Sequence, residues 1–223
     1  MGPPGSGKGT QAELVSDEPN LYYFETSKII EGNVMKAGRE DYEIVDGKQY
    51  SLVKEREHWT HGILNTPEVV AFWVKNKIKE LFKEGLGIVL AGSPRTLYEG
   101  KQVIPLLKKL YGKENIKIVL LEISPQETTW RNSHRRICEF MRHPILSTKN
   151  EFLQLKYCPL DGSKLLKRKG LDDVEIIKVR LKEYRERTYP LMQYFSEQGL
   201  KVKRINGEQS VQKVHEDIMR AIN

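Results

Sequence analysis

The stretch GPPGSGKG, residues 2–9, decides the fold class of this chain. It fits a glycine, four residues of any type and Gly-Lys, a pattern typical of a loop that wraps phosphate between a strand and a helix. Its glycines let successive backbone amides point inward, and Lys8 neutralises phosphate oxygens. Gly9 departs from the pattern, because a magnesium-binding Ser or Thr usually stands there. We expect phosphate contacts from Gly5, Ser6, Gly7, Lys8, Gly9 and Thr10.

Apolar runs bounded by turn residues follow the loop at 21–24, 87–91, 116–123 and 201–205. Each run is separated from the next by sequence with helical periodicity. This alternation predicts a parallel β-sheet flanked by helices. Together with the phosphate loop, it predicts an α/β protein with the three-layer P-loop NTPase fold.

Helix signals are strongest in the middle of the chain. One helix is predicted from caps at Asn65 and Thr66 to a stop at Gly85, and a second starts at the capping box of Ser124 and Glu127. Further helices are predicted over 172–198, where Pro190 introduces a kink, and over 210–222. Neither helical nor strand periodicity holds over 137–170, which predicts an irregular insert.

The strand that normally precedes a phosphate loop has no counterpart here, because residue 2 already belongs to the loop. In P-loop folds that strand lies inside the sheet. Without it, neighbouring strands keep unpaired backbone groups that cost about 1 to 3 kcal/mol each when buried. We therefore expect this sequence to be a version of a longer chain.

The amino-acid composition of the chain excludes several classes of function. The chain has 223 residues, 39% of them hydrophobic and 30% charged, with a formal net charge of +7. These are globular values, and no apolar run approaches the roughly 20 residues of a membrane span. Two cysteines cannot form a disulfide scaffold, and the basic segment 131–142 carries no nucleic-acid-binding signature. We expect a cytoplasmic protein that binds neither nucleic acid nor membranes.

Four motifs taken together resemble the adenylate kinase family, in order and over nearly the whole chain. They are GPPGSGKGTQ from residue 2, PRT at 94–96, the arginine-rich segment, and DD at 172–173 followed by RLKEY at 180–184. The resemblance implies one domain over 1–223 with a five-stranded parallel sheet, a nucleoside-monophosphate-binding insert over about 26–70 and a mobile lid over about 137–171. It also implies a monomer that transfers a phosphoryl group reversibly from magnesium ATP to a monophosphate, ATP and AMP giving two ADP.

The resemblance also implies roles for individual residues. The monophosphate site would comprise Thr26, Leu64, Arg95 and Glu99. Arg131 would lie over the ATP adenine and Arg135 on the transferring phosphates, with Arg168 and Arg180 as closing clamps. Because phosphoryl transfer depends mainly on positioning and charge neutralisation, the expected catalytic residues are Lys8, Arg95, Arg135, Arg168 and Arg180.

Three positions depart from the family pattern. Ala91 stands where an aspartate helps to hold hydrated magnesium, and Glu31 stands where an arginine holds a phosphate. Glu99 replaces a glutamine that reads the acceptor adenine. A carboxylate only accepts hydrogen bonds, so it also suits the N–H edge of guanine. Kinases for GMP, CMP or UMP, and a nucleotide-binding protein of weak activity, remain alternatives to an AMP kinase.

The irregular insert carries a candidate zinc site. Cys138, Met141, Cys158 and Asp161 have the spacing of the zinc lid of some adenylate kinases, with methionine in the second ligand position. A thioether is a poor zinc ligand, but His143 lies two residues further on and completes a tetrahedral set of Cys138, His143, Cys158 and Asp161. The alternative is a lid held by packing, in which both cysteines are small buried residues. The expected cofactors are thus Mg²⁺ with ATP and this candidate structural Zn²⁺.

Overall fold

The computed structural model describes residues 1–141, 144–145, 154–167 and 173–223. Its helices are α1 (Lys8–Ser16), α2 (Thr26–Val34), α3 (Leu52–Thr60), α4 (Pro67–Lys83), α5 (Leu97–Tyr111), α6 (Pro125–His134), α7 (Val174–Glu183), α8 (Leu191–Glu197) and α9 (Val211–Ile222). Its strands are β1 (Leu21–Glu25), β2 (Tyr42–Val45), β3 (Lys48–Ser51), β4 (Gly87–Ala91), β5 (Ile118–Glu122), β6 (Arg136–Cys138), β7 (Pro144–Ile145), β8 (Leu165–Leu166) and β9 (Val202–Asn206). The four strands predicted from apolar runs are confirmed as β1, β4, β5 and β9.

The strands of the P-loop core pair in parallel, as the alternating pattern predicts. β1 pairs with β4 from Leu21 opposite Gly87, and β5 pairs with β9 from Ile118 opposite Val202. In the described ranges these are two separate two-stranded sheets, whereas the family resemblance implies five strands in one sheet.

Helix α4 supplies much of the core, and it ends where the sequence predicts. Its buried side chains recur every three or four residues, so one face packs inward against α5 and the sheet. Gly85 adopts a φ of 73°, and the amide of Leu86 donates to the carbonyl of Leu81. That left-handed turn uses a carbonyl that the helix leaves free, which stops the helix.

The helix predicted over 172–198 is interrupted ahead of Pro190, which confirms the predicted disturbance. Residues Tyr184–Thr188 form a π-helical turn between α7 and α8, and the amide of Tyr189 donates to the carbonyl of Tyr184. Proline has no amide hydrogen and its ring crowds the carbonyl four residues earlier. The wider turn accommodates this conflict and lies beside the site described below.

The segments between core elements contain more regular structure than the sequence predicts. β2 and β3 form a hairpin whose two turn residues, Asp46 and Gly47, both have positive φ, as in a type I′ turn. In the insert predicted to be irregular, β6 pairs with both β7 and β8 in an antiparallel sheet. These three strands have only two or three residues each, too few to produce a recognisable period.

A buried carboxylate connects α3 to the start of α4. Glu55 accepts hydrogen bonds from the amide of Thr66 (2.9 Å), the side chain of Asn65 (2.9 Å) and the Thr66 hydroxyl. These bonds fix the segment of residues 62–66, which contributes to the candidate site. In the ranges described, no helix is long and apolar enough to cross a membrane.

We expect Ile78→Ala to lower the free energy of unfolding by about 2 to 5 kcal/mol, because it leaves a cavity in a fully buried part of α4. The same substitution at Ile44, which is 58% exposed on β2, should change it by about 0.5 kcal/mol or less. Urea titration followed by circular dichroism measures both. Equal losses for the two variants would contradict this placement of the core.

Candidate active site

The phosphate loop has a backbone that requires glycine at two positions. Gly5 and Gly7 have φ values of 81° and 88°, in the left-handed region. A Cβ atom at Gly5 would lie 2.5 Å from the side-chain nitrogen of Asn132 on α6. Gly7 directly precedes α1, whose first-turn amides have no partner within the helix. The loop therefore presents backbone amides and the positive end of a helix dipole, which together favour a bound anion.

Lys8 lies where three arginine charges act on it. Its ammonium donates to the carbonyl of Pro3 at 2.7 Å and lies 3.4 Å from the hydroxyl of Ser6. Burial, and then the charges of Arg95, Arg180 and Arg135, lower the pKa of Lys8 well below its usual value. A bound polyanion would offset both the burial and the repulsion, so this position suits phosphate.

Arg95 lies in the loop that follows β4, and its backbone is held on both sides. Its amide donates to Glu99 Oε2 at 3.0 Å, and its carbonyl accepts from the hydroxyl of Thr188 at 2.7 Å. Burial lowers the pKa of Arg95, while the charges of Glu99 and Glu25 oppose that shift. A half-buried guanidinium on a fixed backbone is well placed to hold a phosphate through two parallel hydrogen bonds.

A cavity of about 150 Å³ beside the loop brings four of the predicted site residues together. They are Lys8, Leu64, Arg95 and Arg180. Trp59, Glu183 and Tyr184 also line the cavity, although they were not among the predicted site residues. Glu183 and Tyr184 belong to the RLKEY motif, which was the available signal for them.

Glu183 connects the cavity-lining segment of residues 62–66 to α7. Its Oε2 atom accepts from the amide of Leu64 at 3.0 Å and from the guanidinium of Arg187 at 2.8 Å. Both contacts are made by one carboxylate oxygen, so the negative charge is shared by an amide and an arginine. Glu183 therefore positions the backbone at Leu64 within the cavity wall.

Two residues assigned to the monophosphate site do not line this cavity. The hydroxyl of Thr26 is buried and has no hydrogen-bond partner among the residues that the structure describes, while its neighbour Ser27 does line the cavity. Glu99 is buried and accepts from the hydroxyls of Ser93 and Thr96, and burial raises its pKa. Its carboxylate is therefore engaged by the loop that joins β4 to α5.

The arginine-rich segment lies at the end of α6 that faces the phosphate loop. Arg131 is buried and pairs with Glu127 at 2.6 Å. Arg135 follows the helix and donates to Asn132, the residue that faces Gly5. Two other predicted residues, Arg168 and His143, lie outside the described residues.

Comparison with known proteins decides the family. The family model for adenylate kinase matches residues 1–200. The chain belongs to the adenylate kinase family.

Relatives that match the chain along nearly its whole length support this assignment. The adenylate kinase of Clostridium acetobutylicum is 32% identical over 225 residues, covering 100% of this chain and 96% of that protein. The adenylate kinase of Petrotoga mobilis is 31% identical over 226 residues, covering 100% and 97%. That of Methanosarcina barkeri is 31% identical over 219 residues, covering 98% and 94%. The resemblance found from the motifs is confirmed, and with it membership in a family of nucleoside monophosphate kinases.

In this adenylate kinase family member, three candidate metal ligands of the 137–171 segment meet. The ligand atoms of Cys138, Cys158 and Asp161 lie within 4.8 Å of one another. The Cys138 thiol donates to Asp161 at 2.9 Å, which lowers the pKa of that carboxyl, and burial raises the pKa of the Cys158 thiol. Met141 is 59% exposed, and its backbone amide donates to Asp161 at 3.4 Å. Two thiols and a carboxylate are three of the four ligands of a tetrahedral zinc site.

We expect Gly5→Ala to destabilise this family member by roughly 1 to 3 kcal/mol, because its φ is positive and the new Cβ would meet Asn132. Asn132 cannot easily yield, since it is buried and donates to the carbonyl of Thr128.

Gly32→Ala is the matched control. Gly32 lies inside α2 with open space around its Cβ position, so alanine should stabilise by about 0.5 to 1 kcal/mol. Urea midpoints of the two variants should therefore shift in opposite directions. A shift in the same direction would show that the loop geometry at Gly5 is not as described.

Proposed function

We propose that this chain transfers the γ-phosphoryl group of ATP reversibly to a nucleoside monophosphate, with AMP as the acceptor and ADP as the product. The convergence of Lys8, Arg95 and Arg180 on one cavity beside a phosphate loop carries the proposal. A site that brings several positive charges together is suited to several phosphate groups at once. Two nucleotides that share one transferring phosphoryl group supply the matching negative charge.

The ATP phosphates would bind to the loop at the start of α1. The backbone amides of the loop and the Lys8 ammonium would contact the phosphate oxygens, with Arg135 close enough to act on the same charge. Adenylate kinases use Mg²⁺ with ATP, and the ion neutralises phosphate charge. Mg²⁺ retains several waters and phosphate oxygens as ligands. Ala91 has no ligand atom in its side chain, so the residues here fit an ion held mainly by phosphate and water.

The acceptor phosphate would lie against Arg95. The side chain of Arg95 is half-buried, and its backbone is held by Glu99 and Thr188. Thr26 itself is buried outside the cavity, but its neighbour Ser27 lines the cavity on this side. Leu64 and Trp59 provide apolar and aromatic surface for a base or ribose.

The reaction requires no general base from the protein. The attacking atom is a phosphate oxygen of the monophosphate, which is already ionised at neutral pH. The side chains then have two tasks, which are to hold both phosphates in line and to stabilise charge on the equatorial oxygens of the transferring group. Lys8, Arg95, Arg135 and Arg180 are the candidates for these tasks, and Arg168 is a fifth from the motif alignment.

AMP is favoured over other acceptors by the relatives, which are adenylate kinases along their whole length. Glu99 is only weak evidence against AMP, because its carboxylate accepts three hydrogen bonds from the loop that joins β4 to α5. We infer that Glu99 positions the backbone of Arg95 and does not read the base. GMP, CMP and UMP are therefore controls in the experiment below.

We also infer the organisation of the chain. Residues of about 26–70 would form the monophosphate-binding insert and about 137–171 the mobile lid, on a single domain over 1–223 that acts as a cytoplasmic monomer. The Glu183 contact with Leu64, and the small antiparallel sheet of β6, β7 and β8, support these boundaries. Closure of a lid would exclude water, which otherwise accepts the phosphoryl group.

Chromatography of the products after incubation with magnesium ATP and each monophosphate tests the proposal. We expect ADP from AMP and much less transfer to GMP, CMP or UMP. Arg95→Ala should lower the rate by about 100-fold or more, because it removes a group that stabilises the transferring charge. Arg220→Ala, at an exposed arginine of α9, should leave the rate unchanged. A folded chain that binds ATP and transfers to no monophosphate would overturn the kinase assignment.

We propose further that Cys138, Cys158 and Asp161 hold a structural zinc ion, with His143 as the fourth ligand suggested by the spacing. Protein purified without chelator should contain about one zinc ion per chain by elemental analysis. Cys158→Ser should lose the ion and lower the melting temperature, because the metal closes the insert. Met141→Leu should retain it. Metal-free protein with the same melting temperature for all three chains would favour an insert held by packing.

A further inference from the structure

The four core strands end in different side chains, and two of these are carboxylates. β1 ends in Glu25 and β5 in Glu122, whereas β4 ends in Ala91 and β9 in Asn206. Enzymes that act on ATP commonly hold Mg²⁺ through one or two carboxylates together with the phosphates. The two glutamates are therefore the candidates, at the ends of these strands, for holding a hydrated ion beside the phosphate loop.

Glu25 lies on the face of β1 that packs against α1. Leu21, at the start of that strand, packs in the cluster that contains Val15 of α1. Because successive side chains of a strand point to opposite faces, Glu25 shares a face with Leu21. Tyr23, between them on that face, brings its hydroxyl to 3.2 Å from the position of a Cβ at Gly9. The face thus runs toward the phosphate loop, and Glu25 lies two residues further along it.

Glu122 lies on the other face of its strand and has a partner there. Leu121 belongs to the cluster that packs against α1, so its neighbour Glu122 points to the opposite face. The carboxylate of Glu122 binds Arg204 at 2.5 Å in an exposed position. Of the two carboxylates that end a core strand, Glu25 is therefore the one on the side of the phosphate loop.

Glu25 is also the register partner of Ala91 on β4. Directly paired residues have their side chains on the same face, and the two strands lie about 5 Å apart. A carboxylate at either position therefore reaches the same space beside the phosphate loop. The carboxylate that is absent at Ala91 is present on the neighbouring strand.

The carboxylate of Glu25 borders the candidate site. Its Oε1 atom accepts at 2.6 Å from the hydroxyl of Ser27, which lines the cavity. Burial lowers the pKa of Arg95, and the charges of Glu99 and Glu25 oppose that shift. The Oε2 atom of Glu25 lies 3.3 Å from the ammonium of Lys28, whose side chain is 73% exposed. An ion pair with such an exposed partner contributes little, so this oxygen can accept from another donor at small cost.

We propose that Glu25 is a positioning residue for the Mg²⁺ ion of ATP and accepts hydrogen bonds from water bound to that ion. This inference rests on the proposed function, because it requires ATP at the phosphate loop. Protein-bound Mg²⁺ usually keeps several waters, so a carboxylate can hold the ion without direct coordination. The end of β1 thus supplies the negative charge that the end of β4 lacks.

A purely structural role is the alternative, in which Glu25 only orders the start of α2 through Ser27 and Lys28. Glu25→Gln separates the two roles. Glutamine keeps an oxygen that accepts from Ser27, but it has no charge. The contact with Ser27 therefore persists in the variant, while the attraction for a cation is lost.

Mn²⁺ is the probe, because its paramagnetic resonance spectrum distinguishes the free from the bound ion. Titration of Mn²⁺ into the full chain with a non-hydrolysable ATP analogue measures metal affinity without turnover. We expect Glu25→Gln to weaken Mn²⁺ binding by about tenfold or more, as the loss of an outer-shell partner commonly does. The analogue without metal should bind this variant at least as tightly as the wild type, because a negative charge near the phosphates has been removed.

Glu13→Gln is the matched control. Glu13 is exposed on α1. Burial raises the pKa of Tyr23, and the charges of Glu25 and then Glu13 add to that shift, so both glutamates lie near the same tyrosine. Glu13→Gln should leave Mn²⁺ binding unchanged. Adding Ala91→Asp to the Glu25→Gln chain should restore the affinity, because it returns a carboxylate to the same space.

Equal Mn²⁺ affinity in the wild type and in a folded Glu25→Gln chain would overturn the proposal, and so would an equal loss in Glu13→Gln. Weaker binding of the metal-free analogue together with a lower urea midpoint would show a structural role instead. If Glu25→Gln does not fold, Ala91→Asp in the otherwise unchanged chain should strengthen Mn²⁺ binding, and no change would overturn the proposal. A wild-type chain that does not bind the analogue at all would overturn the proposed function and this inference together.

Discussion

The structure depends on holding the Lys8 ammonium among the charges of three arginines. Each cation comes from a different element, with Lys8 at the start of α1, Arg95 after β4, Arg135 after α6 and Arg180 on α7. Repulsion and loss of hydration both act against this arrangement. The fold must therefore fix each backbone independently of its charged group. An anionic ligand then binds to positive charges that are already in position, so the side chains need little reorganisation.

Glutamates fix the backbone of several segments around the site, and they do so mainly by accepting hydrogen bonds from amides. Glu99 accepts from the amide of Arg95, Glu183 from that of Leu64, and Glu55 from that of Thr66. A carboxylate that accepts from an amide keeps a loop in place while leaving the nearby cations for a ligand. Acidic residues close to a basic site therefore act here as positioning groups. This explains how Glu99, in the first turn of α5, can lie close to Arg95 without facing the cavity.

Features set by local sequence were predictable, and features set by tertiary contacts were not. The phosphate loop, the strands at 21–24 and 87–91 and the stop at Gly85 depend on glycine, proline and periodicity over a few residues. The orientation of Glu99 depends on donors from Ser93, Arg95 and Thr96 around a folded turn, which no spacing rule specifies. The short strands β6, β7 and β8 lack a period. The Asp46-Gly47 turn was detectable, because that dipeptide is a hairpin signal.

The first two residues connect β5 to the candidate site. Met1 lines the cavity of that site, and its backbone forms hydrogen bonds with β5 immediately before the loop begins. A Cβ at Gly2 would lie 2.6 Å from the carbonyl oxygen of Leu121, so the start of the loop has no room to move closer to β5. At its far end the loop packs on Asn132. The position of Lys8 is therefore set by one strand and one helix.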